Sequence, residues 1–250
     1  MPASFRFTYQ GYKELIFLLR AHNYTFSDYY DWRDYAKPVI IRHDIDSSPE
    51  KALQLAKIEN EIGVRSTYFV LLTSEFYNIF SVRVQNSLKG LLALGHTIGL
   101  HFDEKRYPAI FGDPQKCKEH ILQEAEILGN VLGLRIRVVS MHRPSKEMLE
   151  ENLHIPGMVN SYSNVFFREF KYLSDSRRCW REPVADIIAQ ERFPKLHILT
   201  HPFWYYDEEM SLRETVTRFI TEGANVRYAA MKENMKNLDS ILSQREENIL

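Results

Sequence analysis

Pro38-Val39-Ile40-Ile41-Arg42-His43-Asp44-Ile45-Asp46 is the stretch on which the fold turns. Val39 to Ile41 is a short apolar run opened by Pro38, which reads as a buried strand ending near Asp44. Side chains alternate along a strand, so Asp44 and Asp46 point the same way. Two carboxylates on one face repel unless a cation or a proton joins them. A metal held by one, with the other acting as general base, resolves the conflict. The plainer alternative is a helix N-cap beside a surface ion pair, since carboxylates are common at helix N-termini.

Working outward, Ser47 and Glu50 have capping-box spacing and Pro49 suits a first helical turn. The helix that follows carries Ala52, Leu53, Leu55, Ala56 and Ile58 and stops near Gly63. Upstream, Tyr12, Leu15, Ile16, Leu18 and Leu19 predict a helix from Tyr12 to Ala21. Downstream the alternation continues. A strand over Thr67 to Leu72 precedes a helix from about Ser81 to Leu94, closed by Gly95. A strand from Thr97 to His101 precedes a helix from Asp113-Pro114 to about Gly133, then a strand from Ile136 to Ser140. Val165 to Phe167, Tyr172-Leu173 and Leu196 to Thr200 are further strand candidates, and helices return over Ser211 to Glu222 and Met231 to Gln244. Strand-helix alternation predicts a parallel sheet or an α/β barrel. With no internal repeat, low-complexity tract or Gly/Ser linker, residues 1-250 read as one domain. It has an N-terminal helical extension over 1-37 and C-terminal helices over 207-250.

The chain has 250 residues, 44% hydrophobic and 26% charged, which suits a globular enzyme with a sizeable core. Its formal net charge is -1 and no basic block appears, which argues against a nucleic-acid partner. Cys117 and Cys179 lie far apart, outside any CxxC spacing, and fit free thiols in a reducing compartment. The apolar run Leu15 to Leu19 is too short for a signal segment. Nothing approaches the roughly 20 apolar residues of a membrane span. The expected location is cytoplasmic.

Polar residues recur just past the strand cores: Asp44 and Asp46, His101, His142, His201. In α/β barrels the C-terminal strand ends form the rim where sites are built. His101 closes an apolar run, where an imidazole nitrogen suits zinc or a similar metal. His96 stands about 17 Å away at the other end of that strand and reads as structural. His142 is a further candidate ligand. Arg143 can grip a carboxylate bidentately, or make an ordinary surface pair. His201, before Pro202, sits on a stiff turn, and as an imidazolium it can donate a proton to a departing amine. One such residue is more often structural, but four on one rim point to a site.

In order and content these motifs resemble the NodB-type polysaccharide deacetylases, carbohydrate esterase family four, from about Val39 to Tyr205. Arg42 to Asp46 resembles the family's Asp-x-Asp motif, and Gly95 to His101 the lead into its second. Arg143-Pro144 resembles the Arg-x-Pro region, and Leu199 to Pro202 the final Leu-x-His-Pro motif. The resemblance implies a distorted (β/α)7 barrel and one divalent metal, zinc foremost, with iron, cobalt, nickel or manganese as alternatives. It makes Asp44 the general base, Asp46 and His101 metal ligands, Arg143 the residue that orients Asp44, His201 the general acid, and Asp175 a support. The family has another His four residues after the first; here that position is Lys105, a cation that cannot ligate at neutral pH. His142 is the expected substitute, with Asp103 and then Glu104 behind it. Asp103, Trp204 and Tyr205 are expected to face the substrate. Phe203, Trp204, Tyr205 and Tyr206 either wall a sugar ring or pack the rim.

The helix before the first strand resembles members tied to bacterial surface-polysaccharide (O-antigen or capsule) biosynthesis. The implied partner is a small amino-sugar substrate on a nucleotide or lipid carrier, losing an N-acetyl group. Two rivals stand beside this. One is a deformylase or another amide hydrolase on the same barrel. The other is a catalytically silent carbohydrate-binding protein on a deacetylase scaffold, for which Lys105 is the best support.

Overall fold

The computed structural model describes residues 5–242, so the expected helix end at Gln244 lies outside the described residues. The elements run α1 (Tyr9–Ala21), β1 (Thr25–Ser27), β2 (Pro38–Ile45), α2 (Pro49–Glu61), β3 (Thr67–Val70), α3 (Val82–Ala93), β4 (Thr97–Phe102) and α4 (Pro114–Leu132). Then come β5 (Val138–Met141), α5 (Lys146–Glu150), β6 (Val159–Asn160), β7 (Lys171–Ser174), α6 (Val184–Ala189) and β8 (Leu196–Thr200). These belong to one unit, Met1–Asp207; a second, Glu208–Leu250, holds α7 (Leu212–Asn234) and α8 (Leu238–Ile241).

Every strand pair is parallel, in the order β6-β5-β4-β3-β2-β8-β7. Among the described residues no ladder joins β6 to β7, so the seven-stranded path is a half-barrel with an open seam. β8 runs along one edge of β2, while β1 and β3 share the other, β1 opposite Pro38 to Ile40 and β3 opposite Arg42 to Ile45. This is the α/β distorted barrel implied by the motifs.

β2 is buried at all eight positions, because layers cover both faces of the sheet. Ile40 packs with Phe69, Val138, Tyr29, Phe166 and Phe170 inside the barrel. Its neighbours Val39 and Ile41 face the other way, onto Tyr12, Leu15, Ile16 and Leu19 of α1. Burying each such aliphatic side chain contributes about 1.5–3 kcal/mol.

Two local expectations, at the cap of α2 and at Val165 to Phe167, differ from what forms. Ser48, not Ser47, caps α2, its hydroxyl accepting from the Lys51 N–H at 3.2 Å. Pro49 has no N–H to cap, so the cap sits immediately before it. Val165 to Phe167 is part of a π-helical turn, Val165–Glu169, not a strand. A three-residue apolar run has no period to tell the two apart, and the turn seats Phe166 edge-on to Tyr29 at 4.9 Å. β1 and β6 escape sequence reading because they are three and two residues long.

The apolar face of α4 carries a buried carboxyl, Glu124, with one oxygen accepting from the Tyr107 hydroxyl and the other unpartnered. Burial pushes it up to about 7, with the Tyr107 bond opposing and Asp103 adding to the rise. The folded state therefore holds this proton more tightly than the unfolded chain, and stability falls as pH rises from about 4.5 to 7. Glu124→Gln is expected to raise stability at pH 8 by up to about 3 kcal/mol and to flatten this dependence, read by urea denaturation at pH 5 and 8. An unchanged pH slope would show that Glu124 ionises freely in the folded protein.

Candidate active site

All strands run the same way, so the ends of β2, β4, β5 and β8 gather on one rim. β4 places His101 opposite Ser140 on β5, and β2 places His43 opposite Thr200 on β8. One or two residues beyond these registers lie Asp44, His142 and His201. His96, at the start of β4, is instead buried against Ser66 and the Ala56 carbonyl.

Asp46, His101 and His142 converge. His101 Nε2 lies 3.3 Å and His142 Nδ1 3.4 Å from Asp46 Oδ1, and the two nitrogens are 3.2 Å apart. Among the described residues these three side chains form a group close enough to share an ion. A tetrahedral ion about 2.0–2.1 Å from its ligands sets them roughly 3.3 Å apart, so the donor triangle has the edge such an ion needs. Asp46 Oδ1 is buried without a hydrogen-bond partner, a cost that a cation removes. His101 Nδ1 meets Ser140 Oγ at 3.2 Å, so a proton on Nδ1 leaves the Nε2 lone pair facing Asp46. Burial opposes charge on Asp46, but the neighbouring imidazoles of His101 and His142 and the charge of His201 hold it well below the usual carboxylate range. The residues fit a divalent ion with nitrogen and oxygen ligands.

A bound ion links to folding. Zinc at a hundredfold over its dissociation constant is expected to stabilise the protein by about 2.7 kcal/mol, raising Tm by about 5–10 °C. His142→Ala should remove most of this rise in a thermal melt. A full rise in His142→Ala, with none in Asp103→Ala, would show that the ion sits elsewhere.

Asp44 is 3% exposed beside this triangle. Its Oδ2 accepts from Arg42 at 2.7 Å and lies 3.4 Å from His101 Nε2, while Oδ1 is buried without a partner. Here an expectation is corrected: Arg143 does not hold Asp44. It pairs with both oxygens of Asp103 and is 46% exposed. Successive side chains beyond β5 point opposite ways, so His142 facing inward turns Arg143 outward. Arg42, two residues before Asp44, shares its strand face, a signal that alternation alone carried.

His201 is aimed by Asp175. Its Nδ1 lies 2.6 Å from Asp175 Oδ1, and its backbone N–H donates to both Asp175 oxygens at 3.1 Å. Its Nε2 faces Asp46 Oδ2 at 3.8 Å. Burial lowers the imidazole's affinity for a proton, but Asp175, then Asp46 and Asp44, outweigh it and lift it to about 9.

The expected substrate-facing residues need correcting too. Asp103 is buried, capped onto the Lys105 N–H and closed by Arg143. Glu104 is buried and accepts from the backbone N–H groups of Gly112 and Ser145, so both carboxylates are engaged elsewhere and neither joins the donor triangle. Tyr205 is fully buried, its hydroxyl donating to Asp175 at 2.9 Å and its ring edge-on to Tyr12, and it presents no wall to a sugar. Trp204 is half-buried against the same core, with Phe203 at 4.7 Å. Lys105 lies exposed on the short turn after β4. Cys117 and Cys179 are free, and among the described residues no helix is long and apolar enough to cross a membrane.

No protein-family profile matches the chain, and no curated protein does. Among solved structures it is similar to the Xyl-CE4 domain of a multidomain xylanase from the hindgut metagenome of Trinervitermes trinervoides. The identity is 14%, over 77% of this chain and 85% of that one, with a TM-score of 0.44. It is similar to the peptidoglycan deacetylase PdaC from Bacillus subtilis at 14% identity, over 83% and 98%, with a TM-score of 0.45. It is also similar to a CE4 family pseudoenzyme from Bacillus anthracis at 12%, over 75% and 62%, with a TM-score of 0.45. Two of these three, the xylanase domain and the pseudoenzyme, are named as CE4 proteins, and the third is named as a peptidoglycan deacetylase.

Proposed function

We propose that this chain is a metal-dependent amide hydrolase that removes an N-acyl group, acetyl foremost, from an amino sugar. The observation that carries the reading is the Asp46, His101, His142 triangle with Asp44, one oxygen unpartnered, and a carboxylate-aimed His201 beside it. A divalent ion held by the three would polarise the acyl carbonyl and favour attack by water. Asp44 offers Oδ1 to take the proton of the attacking water, because Oδ2 is occupied by Arg42. His201 presents Nε2 to protonate the departing amine, with its ring orientation set by Asp175. Asp44 and His201 both lie within 4 Å of a side chain of the triangle, which suits an acid and a base serving one carbonyl.

The substrate proposed is a small amino sugar on a nucleotide or lipid carrier, used in building a bacterial surface polysaccharide. The test offers zinc-loaded protein N-acetyl and N-formyl amino sugars, free and nucleotide-linked, and measures the acid released. Acetate supports the reading, and formate alone shifts it to a deformylase. Release of neither acid from protein that holds its ion would end the hydrolase proposal and favour a silent carbohydrate-binding protein.

A further inference from the structure

The barrel interior carries a charge that the expected machinery does not explain. Arg42 is fully buried, and its guanidinium bridges two strands. One end donates to Ser161 Oγ at 3.0 Å, just past β6, and the other to Asp44 Oδ2 at 2.7 Å on its own β2. The guanidinium plane lies 5.1 Å from the Phe69 ring centre and 5.3 Å from that of Tyr162, which confine it. A full charge at zero exposure is costly unless paired and hydrogen-bonded, and a hydrophobic pair of equal volume would often serve stability as well. Its placement has a local consequence. It takes the Asp44 oxygen that lies 3.4 Å from His101 Nε2 and leaves the other oxygen buried without a partner.

Resting on the hydrolase reading above, we infer that Arg42, anchored by Ser161, is the positioning residue for Asp44. It holds Oδ2 and presents Oδ1 as the atom that accepts the proton. Arg143, engaged with Asp103, takes no part in this. The fork geometry of a guanidinium is required, because one planar group must reach the hydroxyl and the carboxylate together.

The test compares wild type, Arg42→Lys, Arg42→Ala and Ser161→Ala on the acyl sugar that wild type hydrolyses, with metal content measured for each. Arg42→Lys is expected to lower kcat by about a hundredfold with KM little changed, the usual result of a misplaced reacting group. Ser161→Ala should lower kcat by about tenfold, the worth of one charge-assisted hydrogen bond. Guanidinium chloride below its denaturing range should restore part of the kcat of Arg42→Ala, and all variants should keep their ion. Wild-type kcat in Arg42→Lys and Ser161→Ala, with only a lower Tm, would reduce Arg42 to a structural residue; so would loss of the ion. If Arg42→Ala does not fold, Ser161→Ala decides. Should wild type itself release no acid, the hydrolase reading fails. The positioning claim is then judged by a urea-denaturation cycle of Arg42→Lys with Asp44→Asn: additive effects overturn it, and strong non-additivity upholds it.

Discussion

Asp44→Asn is expected to lower kcat by about 10²–10⁴-fold while leaving the ion in place. Asp44 lies beside the donor triangle but is not part of it, so an amide there removes the proton acceptor and keeps all three ligands. The same change leaves the buried guanidinium of Arg42 without its counter-charge. Breaking a buried ion pair from one side costs about 3–5 kcal/mol, and the asparagine carbonyl, still able to accept from Arg42, keeps the loss at the lower end. Asp46→Ala should behave differently, losing the ion and the activity together. Steady-state kinetics, metal analysis and urea denaturation on the two variants separate these effects. Retained turnover in Asp44→Asn would remove Asp44 from the chemistry.

The largest stability loss is expected at Glu59, far from the rim in sequence and outside the proposed chemistry. This fully buried carboxylate accepts from the hydroxyls of Tyr12 at 2.6 Å, Ser66 at 2.7 Å and Tyr68 at 2.7 Å, and meets His43 Nε2 at 3.0 Å. His43 reaches on to Thr200 Oγ1 at 2.7 Å, so the network ties α1, α2, β2, β3 and β8 together. Glu59→Ala strands four buried partners at about 1–3 kcal/mol each, a sum comparable with the whole net stability of a domain. We expect a largely unfolded protein, or a loss above about 4 kcal/mol in urea denaturation, with Glu59→Gln much milder. Burial works against the Glu59 charge, but His43, through charge and hydrogen bond, then His96 and Tyr12 outweigh it and hold the carboxyl down at about 2. Its folded value lies below the ordinary 4.5, so its contribution is complete above about pH 4.5 and lost as pH falls through about 2. That window is worth about 3 kcal/mol. A Glu59→Ala protein as stable as wild type at pH 7 would show that the network adds nothing.

The parallel α/β scaffold was legible because strand runs such as Val39 to Ile41 and Leu196 to Thr200 alternate with strongly periodic helices. The rim was legible because parallel strands deliver their C-terminal residues to one end, whatever the details of packing. Short elements were not legible: β6 has two residues, and the aromatic run Val165 to Phe167 is as apolar as a strand while forming a π-helical turn. Asp175 was read only as a support; its grip on both the ring and the backbone N–H of His201 depends on where β7 lies against β8.

By itself the sequence determined which residue types reach the rim and that Asp44 and Asp46 share a face, because alternation and strand direction are properties of the local chain. Only the tertiary structure decided the pairings between elements: Arg143 on Asp103 rather than on Asp44, Ser161 on Arg42, and Tyr205 turned inward to Asp175. A pairing depends on distances between atoms brought together by separate strands, and on which direction each side chain takes once its strand ends. Neither quantity is written in the spacing of residues along one chain.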